Sequence, residues 1–288
     1  MRVAAIVNDA VANLAADKYF FPSTEFSIIA GTGVNAAIPI SSEDMSRYQN
    51  SEGHFVPLGE SITEHTHVFV NMELSMFGAD TFAATKWDRL LDQQQEKPGF
   101  QPLEQLCSGR YLGEIFRLIL VEAIGRQVIF TSLDLQDLHV PFKLDTRLLA
   151  CFEADTAPNL INARKAFAAV LPDASGNLIT VRDASRILSI IRLVSDRAAS
   201  YLAASIVSMW LFRFETQQRQ TSSSIFATSN AERVAFTGSV LEKYPGFKKR
   251  CQDTISRLMA EIGGSDCDLR LEFCPESSLI GAAAIAIQ

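Results

Sequence analysis

Two short apolar runs, residues 25–30 and 35–40, stand on either side of Gly31-Thr32-Gly33. Apolar runs of that length, closed by glycines, read as two strands of a hairpin. Much of the remaining chain has a longer rhythm. Leu103, Leu106, Ile115, Leu118 and Ile119 fall at helical spacing, and so do Ala184, Ile187, Leu188, Ile191 and Val194. Strand signals mixed with helix-length segments predict an α/β chain with helices on both faces of a sheet.

The punctuation refines that picture. Residues 2–7 read as a buried strand running into a helix over roughly 10–17, and residues 65–72 as another strand. Thr85-x-x-Asp88 is a capping-box pattern, Pro98-Gly99 closes the helix it opens, and Pro102 suits a first helical turn. Residues 141–171 read as helix with breaks, and Thr180-x-x-Asp183 opens a long helix to about residue 217. Residues 41–63 and 217–224 read as loops, 234–236 and 269–273 as strands, and 248–262 and 281–287 as helices. With no repeat and no low-complexity linker, residues 1–288 are expected to form one domain.

Composition then removes whole classes of function. Net charge is −7 with no basic stripe, which argues against a nucleic-acid partner. The longest uncharged apolar stretch, residues 198–212, is shorter than the roughly 20 residues a bilayer core requires. It reads as a core helix of a soluble, cytoplasmic protein with no membrane partner. Five cysteines without a CxxC pair read as reduced, buried thiols. His65 and His67 share one strand face but have no third ligand nearby, so no metal site is expected.

In α/β folds, ligands sit at the carboxyl ends of strands. Asn8-Asp9, Gly31-Thr32-Gly33, Glu73 and Thr237-Gly238-Ser239 all follow predicted strands, and Glu104 lies near a helix start. Singly they say little. Asn8-Asp9 is an ordinary helix cap, the glycines can simply permit positive φ, and a carboxylate can simply be a solvated end residue.

In order, however, the motifs resemble the hexokinase family. Asn8-Asp9 is similar to its Asn-Asp-Thr motif, and Gly31-Thr32-Gly33-Val34-Asn35 to its GTG-x-N segment. Val70-Asn71-Met72-Glu73 matches Asn-Met-Glu, and residues 99–114 resemble its glutamate-bearing helix ending in Gly-x-Tyr-Leu-Gly-Glu. Leu144-Asp145-Thr146 resembles its acidic-Thr turn. Thr237-Gly238-Ser239 and Tyr244-Pro245-Gly246-Phe247 resemble its Gly-Ser/Thr turn and Tyr-Pro-x-Phe. Gly281-Ala282-Ala283 matches the end of its adenosine motif. The matches are collinear over essentially the whole chain.

The resemblance implies the large lobe of a hexokinase, an actin-like ATPase (ribonuclease H-like) fold with a mixed sheet. It implies transfer of the γ-phosphate of ATP, with Mg²⁺, to the 6-hydroxyl of a glucose-like hexose. Asp9 would be the general base, and Asn8, Asn35, Glu73 and Glu104 would hold the sugar hydroxyls. Gly31, Thr32, Gly33, Gly109, Arg110, Thr146, Gly238, Ser239, Ser278 and Gly281 would lie at or beside the nucleotide.

The chain also departs from the family. It starts at the strand before Asn8, where a full member carries a small lobe ahead, so the small lobe is expected to be absent and a protein partner to supply or replace it. Ala10 and Ala12 stand where the family has Thr and Gly, and Thr237 where it has Asp. Ser277, Leu279 and Ile280 replace two glycines and a basic residue of the adenosine motif. Weak nucleotide binding is expected, and a non-catalytic, regulatory hexokinase-like protein is the alternative function.

Overall fold

The computed structural model describes residues 3, 6–41, 67–130, 136–171, 179–220, 231–263 and 267–287. Among the described residues five strands form one mixed sheet: β1 (Thr24–Ala30), β2 (Val34–Ser41), β3 (His67–Asn71), β4 (Ala231–Thr237) and β5 (Asp268–Phe273), in the order β3-β2-β1-β4-β5. The first three form an antiparallel meander, and β1 is also parallel to β4 and β4 to β5. The predicted hairpin is present, with Ala30 opposite Val34 and Ile29 opposite Asn35.

The two-residue alternation of the strands assigns each face of the sheet. Phe26, Ile28, Ala36, Ile38, Val234, Phe236 and Leu271 point into the larger core. Ile29, Ala37 and Ala235 point the other way, beneath α1 (Asp9–Phe20). α1 runs antiparallel to β1, as three side-chain ties show: Ser27 Oγ donates to the Ala10 carbonyl, Asn13 Nδ2 to that of Ile28, and Thr24 Oγ1 to Asp17. Asp17 is buried and also receives Arg233 of β4 at 2.6 and 2.8 Å. The amino end of α1, with Asn8 and Asp9, therefore lies at the carboxyl end of β1.

On the other face sit α2 (Lys86–Gln93), α3 (Pro102–Cys107), α4 (Leu112–Gly125), α5 (Thr146–Ala154), α6 (Ile161–Val170), α7 (Val181–Gln220), α8 (Ser239–Lys243) and α9 (Phe247–Glu261). α10 (Ser277–Ile287) packs on α1. The 40-residue α7 buries Ala184, Ile187, Ile191, Val194, Ala198 and Leu202, one stripe at helical spacing. Both capping signals are present. Thr85 and Asp88 exchange bonds at the start of α2, and Thr180 and Asp183 do so at α7. Asp88 in addition receives Arg197 of α7 at 2.7 and 2.8 Å, which ties α2 to α7.

The structure departs from sequence expectation in five places. Of residues 2–7, the described Val3, Ile6 and Val7 form no strand, and Val3 and Ile6 are exposed. A strand needs a neighbour for its amides, and no described strand adjoins them. The helical spacing that runs from Leu103 to Ile119 is broken into α3 and α4 by Ser108-Gly109-Arg110-Tyr111. α7 continues through residues 217–220, expected as loop, while 221–224 lie outside the described residues, as do 42–63 and His65. The last helix begins at Ser277 rather than Gly281. All five cysteines are free thiols, but Cys151 is exposed, against the expectation that all five are buried; the other four are buried.

Candidate functional site

Three turns meet at the carboxyl ends of β1 and β4. The Gly109 amide donates to the Gly31 carbonyl at 2.7 Å. A Cβ on Gly109 would lie 2.9 Å from that oxygen, and one on Gly31 would lie 3.3 Å from both Gly238 Cα and Ser239 N. Gly238 has φ 109°, and a Cβ there would lie 2.5 Å from the Ala30 carbonyl. The glycines allow three backbones to cross within contact distance. Gly31 and Gly33 are not at positive φ. Close approach, not backbone freedom, is what Gly31 supplies.

A cavity of about 500 Å³ opens beside this crossing. Thr32, Gly109, Arg110, Thr146 and Ser239 line its polar side, so five of the residues expected at a nucleotide share one cavity. Thr146 Oγ1 donates to the Gly109 carbonyl at 2.7 Å and accepts the Gly113 amide at 3.0 Å, fixing the break between α3 and α4. Asp145 caps α5 and takes Arg147 Nη2 at 2.9 Å. Burial opposes its charge, but the Arg147 bonds outweigh this and hold the carboxyl below its usual range.

Phe142, Leu144, Val240 and Tyr244 form the apolar wall. The Tyr244 hydroxyl donates to Glu153 at 2.9 Å, and Glu153 also receives Ser195 and Arg250. Burial, and then the Glu153 charge, push the Tyr244 phenol up, so it stays a neutral donor. Lys243, Phe142 and Tyr244 belong to this cavity but were not expected there. Tyr244 itself opens the Tyr-Pro-x-Phe motif, whereas Lys243 and Phe142 give no sequence hint beyond lying close to motif residues.

A second polar cluster occupies the β1–β2–β3 end. Asn35 Nδ2 donates to Asn71 Oδ1 at 2.9 Å, and Asn35 Oδ1 accepts the Leu74 amide at 3.2 Å. Asn71 Nδ2 donates to Glu73 at 2.5 Å. Glu73 is held in the left-handed region at φ 46°, a conformation unusual for this residue type and common at functional sites. Glu104, in the first turn of α3, accepts the Val34 amide at 3.0 Å. Asn71 joins this cluster although only its neighbour Glu73 was singled out from the same motif.

Asn8 Oδ1 caps α1 by accepting the Ala10 amide at 2.9 Å, and Asp9 follows, exposed, in the first turn. Ser278 and Gly281 are not among the residues that line the cavity. Ser278 is exposed in the first turn of α10. A Cβ on Gly281 would overlap the Ala12 carbonyl, so that glycine permits the α1–α10 crossing.

Comparison with known proteins gives the family and the fold. Residues 25–288 match the family described as Hexokinase. The chain is 30% identical over 252 residues to the hexokinase of Schwanniomyces occidentalis, covering 87% of this chain and 48% of that protein. To Hexokinase-2 of Saccharomyces cerevisiae it is 29% identical over 289 residues, covering 100% of this chain and 54% of the relative. The solved structure of the Schistosoma mansoni hexokinase complexed with glucose superposes with a TM-score of 0.77 at 26% identity, over 98% of this chain and 57% of that one. The chain thus spans about half the length of the curated relatives it matches. Its five-stranded sheet is that of the hexokinase large lobe, an actin-like ATPase fold. On the family match, the sheet and the collinear motifs together, the chain belongs to the hexokinase family.

Proposed function

We propose that the chain carries the large-lobe half of a hexose phosphotransferase: nucleotide in the glycine-crossed cavity, sugar at the Asn35–Glu73–Glu104 cluster. The observation that carries this reading is the meeting of the Gly31, Gly109 and Gly238 turns beside one cavity, at the same end of the sheet as Glu104 and Asn35. Backbones packed this tightly can bring amides close to phosphates with no side chain between. Carboxylates and amides at the second cluster can accept and donate to sugar hydroxyls and so choose which hydroxyl faces the phosphate.

In the proposed reaction the hexose 6-oxygen forms a bond to the γ-phosphorus while the bond to the β–γ bridging oxygen breaks, leaving ADP. The hydroxyl proton passes to Asp9, which stands exposed at the amino end of α1. Mg²⁺ would supply charge neutralisation on the phosphates. Among the described residues no group of three or more His, Cys, Asp or Glu forms a cage, which suits an ion held mainly by phosphate oxygens and water.

A second reading, a non-catalytic hexokinase-like protein that binds a ligand or partner, draws on one observation. The Asn8 side chain and the Asp9 carboxylate both accept the Ala10 amide, so this turn is already satisfied as a helix cap. An ADP-release assay with Mg-ATP and glucose, fructose or mannose separates the two. Sugar-dependent turnover that disappears in Asp9→Ala supports the phosphotransferase. Retained binding of sugar and nucleotide with no turnover above the Asp9→Ala control supports the second.

A further inference from the structure

The apolar wall of the cavity contains one ring whose surface is left open. Leu144, Val240 and Tyr244 are nearly buried already, whereas Phe142 is 42% exposed. Phe142 is also held at φ 58°, the left-handed region, where an aromatic side chain is disfavoured. Exposing a phenyl ring and straining its backbone both work against folding, so something must fix it there.

What fixes it is a buried ion pair. Glu114 is fully buried, and its Oε2 accepts the Phe142 amide at 2.6 Å. Arg117 binds the same carboxylate through Nε at 2.8 Å and Nη2 at 2.6 Å, and donates Nη1 to the Leu138 carbonyl. One buried pair therefore grips both ends of the 138–142 turn. Buried ion pairs add little net stability but can specify a geometry. The geometry specified here is the position of a ring at the cavity rim. On the same rim the Arg110 guanidinium stands over that ring, 5.8 Å from its centroid, and the Tyr111 ring lies 6.1 Å away at a tilt, so the part of the phenyl surface left exposed is bordered by a cation and a second ring.

We infer that Phe142 is the base-stacking residue of this cavity, set by Glu114 and Arg117 to cover the flat face of a nucleoside phosphate. The inference rests on the nucleotide reading proposed above. It adds that a base is required, and that the ring selects for its presence rather than its identity, because every base offers a π face. Glu114 and Arg117 touch no ligand in this account and act as positioning residues.

The test is titration calorimetry with Mg-ATP and with Mg-tripolyphosphate, on the wild-type chain, Phe142→Ala and Phe142→Trp, each checked by thermal melting. Phe142→Ala should weaken Mg-ATP about tenfold, the size of one base-on-ring stack, and leave tripolyphosphate within about twofold. Phe142→Trp should restore Mg-ATP. If alanine opens the turn, Phe142→Leu, which fills the space without a π face, should give the same contrast. Equal loss for both ligands, or no loss for Mg-ATP, overturns the inference and leaves the nucleotide reading standing. A wild-type chain that binds no Mg-ATP overturns both.

Discussion

Glu104 accepts the Val34 amide at 3.0 Å, and its Oε2 stands 2.7 Å from where a Cβ on Gly33 would lie. The neighbour of that missing methyl is the far end of a flexible side chain, and Gly33 is not at positive φ. Gly33→Ala should therefore cost only about 0.5–1.5 kcal/mol, the range of one displaced rotamer. It should nevertheless swing the carboxylate off its position. The expected result is a near-native melting curve with glucose affinity reduced about tenfold or more, since hydrogen bonds to charged groups carry about 1.5–3 kcal/mol. Unchanged glucose affinity would remove Glu104 from the sugar site.

Gly281→Ala should behave in the opposite way. The added methyl would overlap the backbone of Ala12 across the α1–α10 crossing, where neither partner is a flexible side chain. We expect a loss of about 3 kcal/mol or more in urea unfolding, the upper end for an overpacked contact. A stable variant with weakened nucleotide binding would instead return Gly281 to the ligand site.

Glu114→Ala leaves Arg117 as an uncompensated buried charge and frees the Phe142 amide. The expected loss is about 3–5 kcal/mol. Replacing both partners with leucine and methionine should recover most of that stability, because the pair's desolvation cost goes with it. The doubly substituted chain should still leave the 138–142 turn without its grip, visible as faster amide exchange at Phe142.

Asp155 accepts the Ala163 amide at 2.9 Å and the Ala157 amide at 3.0 Å. The Ala163 bond is the largest cause holding its carboxyl below the ordinary value; burial opposes it, and the Ala157 and Asn162 bonds add to it. A depressed carboxylate stabilises the fold above its unfolded value of about 3.9 and loses that contribution as pH falls through the folded value. The stability difference between wild type and Asp155→Asn should be level from pH 7 to 5 and narrow below about pH 4. A difference that stays constant down to pH 3 would contradict this.

Local chemistry was legible in the sequence wherever a few adjacent residues complete an interaction. Thr85 with Asp88, Thr180 with Asp183, and the hairpin around Gly31-Thr32-Gly33 all formed as their spacing indicates. The break between α3 and α4 was not legible, because the α-periodic apolar positions continue through it. It is imposed by the Gly31 carbonyl and Thr146, which take up and present groups at Gly109 and Gly113 from elsewhere in the chain. The motifs resembled a family strongly enough to give the sheet. They could not show that Gly281 serves a helix crossing, or that a buried carboxylate on α4 sets the conformation of Phe142. Those roles depend on partners distant in sequence, and no local pattern encodes them.

The strand order also bears on how the chain is made. β1 lies at the centre of the sheet, yet its parallel neighbour β4 is synthesised about two hundred residues later. Until then the meander of β1, β2 and β3 offers an open row of amides and carbonyls, the kind of edge that pairs with other chains. Contacts between such distant segments form slowly. The growing polypeptide is most exposed to misassembly on the ribosome after β3 and before β4 emerges, so slow synthesis of the helical middle should lower the yield of folded protein more than slow synthesis of the last helix.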